Sequence, residues 1–279
     1  MKEKLIQLLE ITQRTALRIM PLFWMPFFMK FYVYLKNLLI VGSTDFFSII
    51  ELETTTECNR RCVYCPQFTH ERGKHLMDEV LFKKIIDELA SINFVGRVSP
   101  HFYGEPLLDK RLPDLVKYVR EKIPLSNIVI FSNGDLLTTE LFYKMIDSGV
   151  DLFWITIHGQ NMSKNMSQLM DYVKDKPQLK QKIAVFKITP ETPLFNRGGL
   201  VEPDVKIRFE KCRDPSDVVS VDHLGNVVLC CNDYLSSVIF GNLNNESLIQ
   251  IWKKPYYKKV RKNIREGIFE LEICKNCVK

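Results

Sequence analysis

The chain has 279 residues, of which 46% are hydrophobic and 26% are charged. This balance is ordinary for a globular protein with a sizeable core, and it excludes a disordered or fibrous chain. The formal net charge is +6, but lysine and arginine are spread along the chain, so we expect no nucleic-acid partner.

Residues 1–46 are predicted to form an apolar, aromatic and helical N-terminal extension. Two prolines and two lysines interrupt residues 20–41, so this stretch is a poor transmembrane helix. One interpretation is a helix that packs on the main domain. The other is an amphipathic helix that contacts a membrane peripherally through residues 18–42, which would suit a lipid-linked substrate.

The eight cysteines all follow residue 57, and several are closely spaced. Cys58, Cys62 and Cys65 form a C-x3-C-x2-C motif, and Cys274 and Cys277 form a C-x2-C motif at the end. No cleavable signal peptide is apparent, so these groups indicate metal sites in a reducing compartment rather than disulfides. We expect a cytoplasmic protein, which an interfacial extension would hold at the inner membrane face.

Residues 47–210 alternate between predicted strands and predicted helices. This alternation with short connections indicates an α/β fold with a parallel sheet, here a partial (β/α)6 TIM-like barrel. Ligands of such folds bind at the carboxyl ends of the strands. The predicted strands are Phe47–Thr55, Arg97–Tyr103, Asn127–Phe131, Asp151–Ile157, Lys182–Thr189 and Val205–Phe209. Helices are predicted after Asp78, near 111–122, over Thr139–Ser148 and over 161–175.

Residues 211–279 follow a different pattern, which predicts a small β-hairpin-plus-helix domain. Two apolar stretches flank a turn with glycine and asparagine, the composition of a hairpin turn. The predicted elements are the strands Val218–Asp222 and Val227–Cys231 and the helices Ser247–Trp252 and Pro255–Arg265.

The spacing of Cys58, Cys62 and Cys65 suits three corners of one iron–sulfur cube, which leaves the fourth iron open for chemistry. A structural zinc site normally takes four protein ligands, so zinc or buried structural thiols are the weaker interpretations. The motif, with the aromatic Tyr64 before its third cysteine, resembles that of the radical S-adenosylmethionine (SAM) superfamily.

Two further segments carry the same resemblance. Residues 102–106 (FYGEP) resemble the Gly-Gly-Glu-Pro segment of that superfamily, with Tyr103 in place of the first glycine. Residues 131–134 (FSNG) resemble its Thr/Ser-Asn-Gly segment. The resemblance implies a SAM-binding [4Fe–4S] cluster on the three cysteines. It also implies contacts to SAM from Gly104 and Glu105 at the ammonium group, Ser132 and Asn133 at the ribose or carboxylate, and Tyr64 at the adenine.

The later cysteines resemble a twitch or SPASM-like auxiliary domain. The resemblance implies one auxiliary [4Fe–4S] cluster on Cys212, Cys230, Cys274 and Cys277. One thiol is then left over, Cys231 or Cys230, because adjacent residues of a strand face opposite sides. It is either a buried apolar thiol or a hydrogen-atom donor at the substrate site. Arg197 follows the fifth predicted strand, where it binds SAM or an anionic substrate group, or shapes the adjacent glycine turn.

The resemblance implies an enzyme that cleaves SAM to a 5′-deoxyadenosyl radical and removes hydrogen from a carbinol C–H of a carbohydrate-type substrate. The favoured reaction is epimerisation with Cys231 as hydrogen donor. Alternatives are a dehydrogenase with the auxiliary cluster as electron acceptor, a peptide-modifying enzyme, and a non-enzymatic metal-binding regulatory protein. Expected partners are a small-molecule or saccharide substrate and an external one-electron reductant of the flavodoxin or ferredoxin type.

Overall fold

The computed structural model of the chain describes residues 35, 38, 45–207 and 209–278. The chain divides into two units, Met1–Phe47 and Ser48–Lys279, and the fold below is that of the second. Leu35 and Leu38 are helical. Apart from Asp45 and Phe46, the rest of the predicted extension lies outside the described residues, as does most of its membrane-contacting stretch. In the part of the chain that is described, no helix has both the length and the apolar character to span a bilayer.

One eight-stranded sheet carries the fold, in the order β5-β4-β3-β2-β1-β6-β7-β8. Strands β1 to β6 run parallel, and β7 and β8 continue the sheet in antiparallel fashion. The expected partial (β/α)6 barrel is therefore confirmed, and it is open between β5 and β6. The strands are β1 (Ile49–Leu52), β2 (Arg97–Ser99), β3 (Asn127–Ser132), β4 (Leu152–Ile157), β5 (Ile183–Lys187), β6 (Val218–Val221), β7 (Asn226–Val228) and β8 (Ile239–Asn242).

The sixth strand of the barrel was predicted in the wrong place. The described residues of Val205–Phe209, which are 205–207 and 209, form no strand, and Lys206 makes only an isolated bridge to Leu194. The first strand of the predicted hairpin takes the position instead, as β6, and pairs in register with β1 along its whole length. Which segment forms the sixth strand depends on the hydrogen-bonding partners available to it and not on local strand propensity. The sheet therefore runs without a break from the barrel into the C-terminal region.

Amphipathic helices pack on the sheet largely as expected. Helix α1 begins after Asp78, whose side chain accepts a hydrogen bond from the Leu81 N–H at 3.0 Å. The apolar residues at helical spacing on α1 are buried, namely Leu81, Phe82, Ile85, Ile86 and Leu89. The helices are α1 (Glu79–Ser91), α2 (Leu112–Lys122), α3 (Thr139–Ser148), α4 (Lys164–Val173), α5 (Pro177–Lys180), α6 (Asp214–Asp217), α7 (Leu248–Trp252), α8 (Pro255–Arg265) and α9 (Glu272–Val278).

Candidate functional site

The loops that follow β1, β2, β3 and β4 converge on one cavity of about 490 Å³. Parallel strands end at the same edge of a sheet, so residues distant in sequence meet there. The three cysteines of the first motif all line this cavity, as do the other residues predicted to contact SAM, including Arg197. They are Cys58, Cys62, Cys65, Tyr64, Gly104, Glu105, Ser132, Asn133 and Arg197.

The cysteine loop is fastened to the loop after β3. Arg60 forms a bidentate ion pair with Asp135, with nitrogen–oxygen distances of 2.6 and 2.7 Å. Asn59 donates to the same carboxylate at 3.0 Å. These contacts fix the path of the backbone that presents the three thiols. Burial raises the pKa of Cys58 to about 11, so iron must displace its proton to bind the sulfur.

Glu105 organises the loop after β3. Its carboxylate accepts hydrogen bonds from the Ser132 hydroxyl at 2.8 Å, the Asn133 N–H at 2.8 Å and the Leu107 N–H at 3.1 Å. Burial raises the pKa of Glu105, and these donors offset part of that rise. The carboxylate therefore already holds three donors before any contact with a ligand.

Gly104 lies where the loop after β2 crosses the backbone that follows β1. A Cβ atom at this position would come within 2.0 Å of the Thr55 carbonyl oxygen, so only glycine fits. The next residue is tied to the same segment, since the Glu105 N–H donates to the Glu57 carbonyl at 2.8 Å. The Gly-Glu-Pro segment is thus packed directly on the backbone that leads into the first cysteine motif.

Tyr64 is held by a histidine that follows β4. The Tyr64 hydroxyl lies 2.7 Å from His158 Nδ1, and the two rings stack with centroids 5.9 Å apart. Burial lowers the pKa of His158 to about 4, so the imidazole that shares this hydrogen bond with the phenol is neutral at pH 7. This contact is one that a histidine with an ordinary structural role would make.

Arg197 and Tyr103 form another wall of the cavity. The Arg197 guanidinium lies 5.7 Å from the centre of the Tyr103 ring, and its Nη1 donates to Asn232 Oδ1 at 3.1 Å. Arg197 has a φ of +52°, in the left-handed region that costs a non-glycine residue about 1 kcal/mol or more. The fold tolerates this strain in placing a cation beside the cavity.

The five later cysteines divide between two pockets. Cys212, Cys230, Cys274 and Cys277 line one small pocket beside α8 and α9. Cys231 lines the large cavity instead, with its sulfur 3.9 Å from an Asp214 carboxylate oxygen. Cys230 and Cys231 do separate as predicted, but not because they alternate along a strand. Strand β7 ends at Val228, so both cysteines lie beyond the strand, and Cys231 begins a turn.

The donor sets fit iron–sulfur clusters. The first offers three thiols at the mouth of a large cavity, and the second offers four thiols around a compact pocket. Among the residues that the structure describes, no three His, Cys, Asp or Glu side chains are grouped closely enough for a single metal ion.

Sequence reasoning missed several polar residues that also line the cavity, among them Glu51, Arg97 and His101. Glu51 lies within β1, and Arg97 begins β2. His101 stacks on Phe131 with centroids 4.6 Å apart, and burial lowers its pKa to about 3. A charged residue inside an otherwise apolar strand was the available signal, because buried charges occur mainly where they are paired or functional.

Comparison with known proteins finds two family models. The model described as "Radical SAM superfamily" matches residues 52–192, and SPASM, an iron-sulfur cluster-binding domain, matches residues 212–278. The S-adenosyl-L-methionine-dependent 2-deoxy-scyllo-inosamine dehydrogenase of Niallia circulans is 34% identical over 238 residues, which cover 83% of this chain and 92% of that protein.

Solved structures agree. BtrN in complex with AdoMet and 2-DOIA superposes with a TM-score of 0.76 at 33% identity, over 84% of this chain and 93% of BtrN. Native anSMEcpe with bound AdoMet gives a TM-score of 0.55 at 12% identity, over 82% of this chain and 88% of that one, which is a likeness of fold alone.

Proposed function

Because the chain belongs to the radical SAM superfamily and ends in a SPASM domain, we propose that it is a dehydrogenase that oxidises one carbinol of an aminocyclitol to a ketone. Like its relatives, it uses SAM and two [4Fe–4S] clusters. The favoured prediction of an epimerase finds no support among these relatives, whereas the alternative of a dehydrogenase matches the activity named for one of them.

The observation that carries the proposal is the division of two consecutive cysteines between two pockets. Cys231 lines the large cavity and Cys230 lines the small one, although their Cα atoms are only ~3.8 Å apart across one peptide bond. A group held on the auxiliary cysteines therefore lies directly behind the cavity wall. An auxiliary cluster next to the substrate cavity suits a reaction in which the substrate must lose an electron as well as a hydrogen atom.

The residues of the first site have complementary roles in this proposal. Cys58, Cys62 and Cys65 hold the first cluster, and Gly104 and Glu105 bind the ammonium group of SAM. With SAM bound, the first cluster and SAM together would supply a 5′-deoxyadenosyl radical that removes a hydrogen atom from the substrate carbon. The remaining contacts position SAM and close off water; these are Tyr64 at the adenine and Ser132 and Asn133 at the ribose or carboxylate.

The other side of the cavity binds the substrate. Arg197 and Tyr103 face it beside Cys231, and their charged and aromatic groups suit a polar ring. A dehydrogenase returns no hydrogen atom to the substrate carbon, so Cys231 does not act as a hydrogen donor in this proposal. Cys212, Cys230, Cys274 and Cys277 hold the auxiliary cluster. The external reductant, a lipid-linked substrate, membrane contact and a cytoplasmic location remain predictions.

The test is anaerobic incubation of the cluster-loaded protein with SAM, dithionite and 2-deoxy-scyllo-inosamine. We expect a product lighter by two hydrogens, formed together with 5′-deoxyadenosine. A product of unchanged mass that carries solvent deuterium on the carbinol carbon would contradict the dehydrogenase and favour an epimerase. Neutral cyclitols and free sugars, assayed in parallel, define the substrate class.

A further inference from the structure

Glu51 is a buried carboxylate that lines the same cavity as the first cysteine motif. It is the third residue of β1, and its register partners are Ser99 on β2 and Ser220 on β6. Side chains at matching positions of neighbouring parallel strands point to the same face, so all three face the inside of the open barrel. Glu51 is 7% exposed.

The hydrogen-bonding capacity of Glu51 is only partly used. Its Oε2 accepts from the Ser220 hydroxyl at 3.1 Å. Its Oε1 lies 3.8 Å from Arg97 Nη2, which is too long for a hydrogen bond. Glu105, the other carboxylate of the cavity wall, already accepts three donors. Glu51 is therefore the carboxylate of the described cavity lining that is best able to accept another proton donor.

The surroundings of Glu51 tune its basicity. Burial raises its pKa to about 7, and the Ser220 hydrogen bond and the Arg97 charge keep it from rising further. A base with a pKa near the working pH is the most effective proton acceptor. The charged and titratable groups that act on Glu51 come from β2, the turn after β5, α6 and the turn after β7; they are Arg97, Arg197, Asp214 and Cys231.

Oxidation of an alcohol to a ketone needs a proton acceptor. With SAM and both clusters bound, the substrate carbon would give up one hydrogen atom to the SAM-derived radical, its oxygen one proton to a group of the protein, and the substrate one electron to the group held by Cys212, Cys230, Cys274 and Cys277. The rest of the lining suits the proton poorly. His101 has a pKa of about 3, Arg197 is a cation, and burial raises the pKa of Tyr103 and Cys231, so both are already protonated.

We propose that Glu51 is the catalytic base that accepts the hydroxyl proton of the substrate. This inference rests on the proposed dehydrogenase function. The proton stays on the Glu51 carboxyl while the ketone forms and passes to water when the product leaves the cavity. Ser220 and Arg97 act as positioning residues that hold the carboxylate and set its basicity.

The test compares wild type with Glu51→Gln, Glu51→Asp and the exposed control Glu140→Gln. We expect the wild-type rate of ketone formation to rise with pH through about 7, as Glu51 ionises. Glu51→Gln should form ketone about 100-fold more slowly or worse, without that pH limb. Glu51→Asp should regain part of the rate, and SAM affinity, measured by equilibrium dialysis, should stay unchanged. Infrared titration should show a carboxyl band in wild type that Glu51→Gln lacks.

A second substrate separates proton transfer from binding of the substrate ammonium group. The neutral cyclitol that has a hydroxyl in place of the amino group should suffer the same loss of rate in Glu51→Gln. A loss confined to the amine would overturn the base and make Glu51 an ammonium-binding residue. If Glu51→Gln forms the ketone with the wild-type pH profile, Glu51 is not the base, while the proposed dehydrogenase function still holds. If wild type forms no ketone from either compound, the dehydrogenase fails, and its base with it.

Discussion

Glu51 is a residue that the fold holds at a free-energy cost. A carboxylate in water ionises near pH 4.5, but in the folded protein the pKa of Glu51 is about 7. The folded state therefore binds more protons than the unfolded state between these two values, and stability falls as the pH rises through this window. The cost is fully present at pH 8 and absent below about pH 4.5.

We therefore predict that Glu51→Gln becomes more stable relative to wild type as the pH rises from 5 to 8, by ~2–3 kcal/mol in the free energy of unfolding. Glutamine fills nearly the same volume but does not ionise. Urea denaturation at several pH values measures the difference, and Glu140→Gln serves as the exposed control. A stability difference that stays constant with pH would show that Glu51 is not buried in its charged form.

Some residues of the site could be predicted from the sequence and others could not. Cys58, Cys62 and Cys65 form a motif with fixed spacing, and all three line one cavity. Glu51 and His101 gave no such signal, because their neighbours in the cavity come from other strands. Contacts across a sheet depend on strand register, which spacing along one strand does not contain.

At the level of elements, the turn Arg197–Gly199 supports the helix that carries two auxiliary cysteines. The Asn196 side chain donates to the Asn276 carbonyl at 2.7 Å, and the Gly198 N–H donates to the Cys277 sulfur. Gly198 has a φ of +67°, and a Cβ atom there would lie 2.6 Å from Ile273 Cγ1. Turn and helix α9 are thus closely packed around the second pocket.

We predict that Gly198→Ala destabilises the protein by ~1–3 kcal/mol and lowers its auxiliary iron content, because the new methyl group strains the turn and pushes α9 away. Gly159→Ala is the matched control, since no atom lies within 4 Å of the position that its new methyl group would take, and surface changes cost little. Thermal unfolding and iron analysis of both variants test this. Equal iron content and stability in the two would contradict the supporting role of the turn.

The elements show where prediction from sequence stops. The bounds of Thr139–Ser148 and the start of Pro255–Arg265 were predicted to the residue, because periodic apolar positions and their flanking residues are local signals. Val205–Phe209 has a strand-like composition, but its described residues form only one isolated bridge, from Lys206 to Leu194. Val218–Asp222 was predicted as one strand of a hairpin. The observed strand, Val218–Val221, does pair with β7, yet it also pairs with β1, which no local pattern indicates.

For the whole molecule, the two pockets allow a direct test of how the cysteines are divided. We predict that Cys230→Ser lowers the iron content from about eight towards about four per chain and stops ketone formation, while SAM cleavage persists. Its neighbour Cys231→Ser should keep both clusters and still form the ketone. Iron analysis and product mass spectrometry compare the two variants. If Cys231→Ser loses iron as Cys230→Ser does, the assignment of Cys230 alone to the auxiliary cluster is wrong.

The pairing of β1 with β6 also sets the order in which the molecule is completed during synthesis. Glu51 and Ser220, which hydrogen-bond to each other, are 169 residues apart in the chain. A ribosome that adds about 5–20 residues per second needs roughly 10–30 s to cover that distance. Until then one edge of the first strand lacks its permanent neighbour, an exposure that invites mispairing. The nascent barrel therefore depends on the last quarter of the chain, or on a chaperone, to protect the strand that leads into its cluster-binding loop.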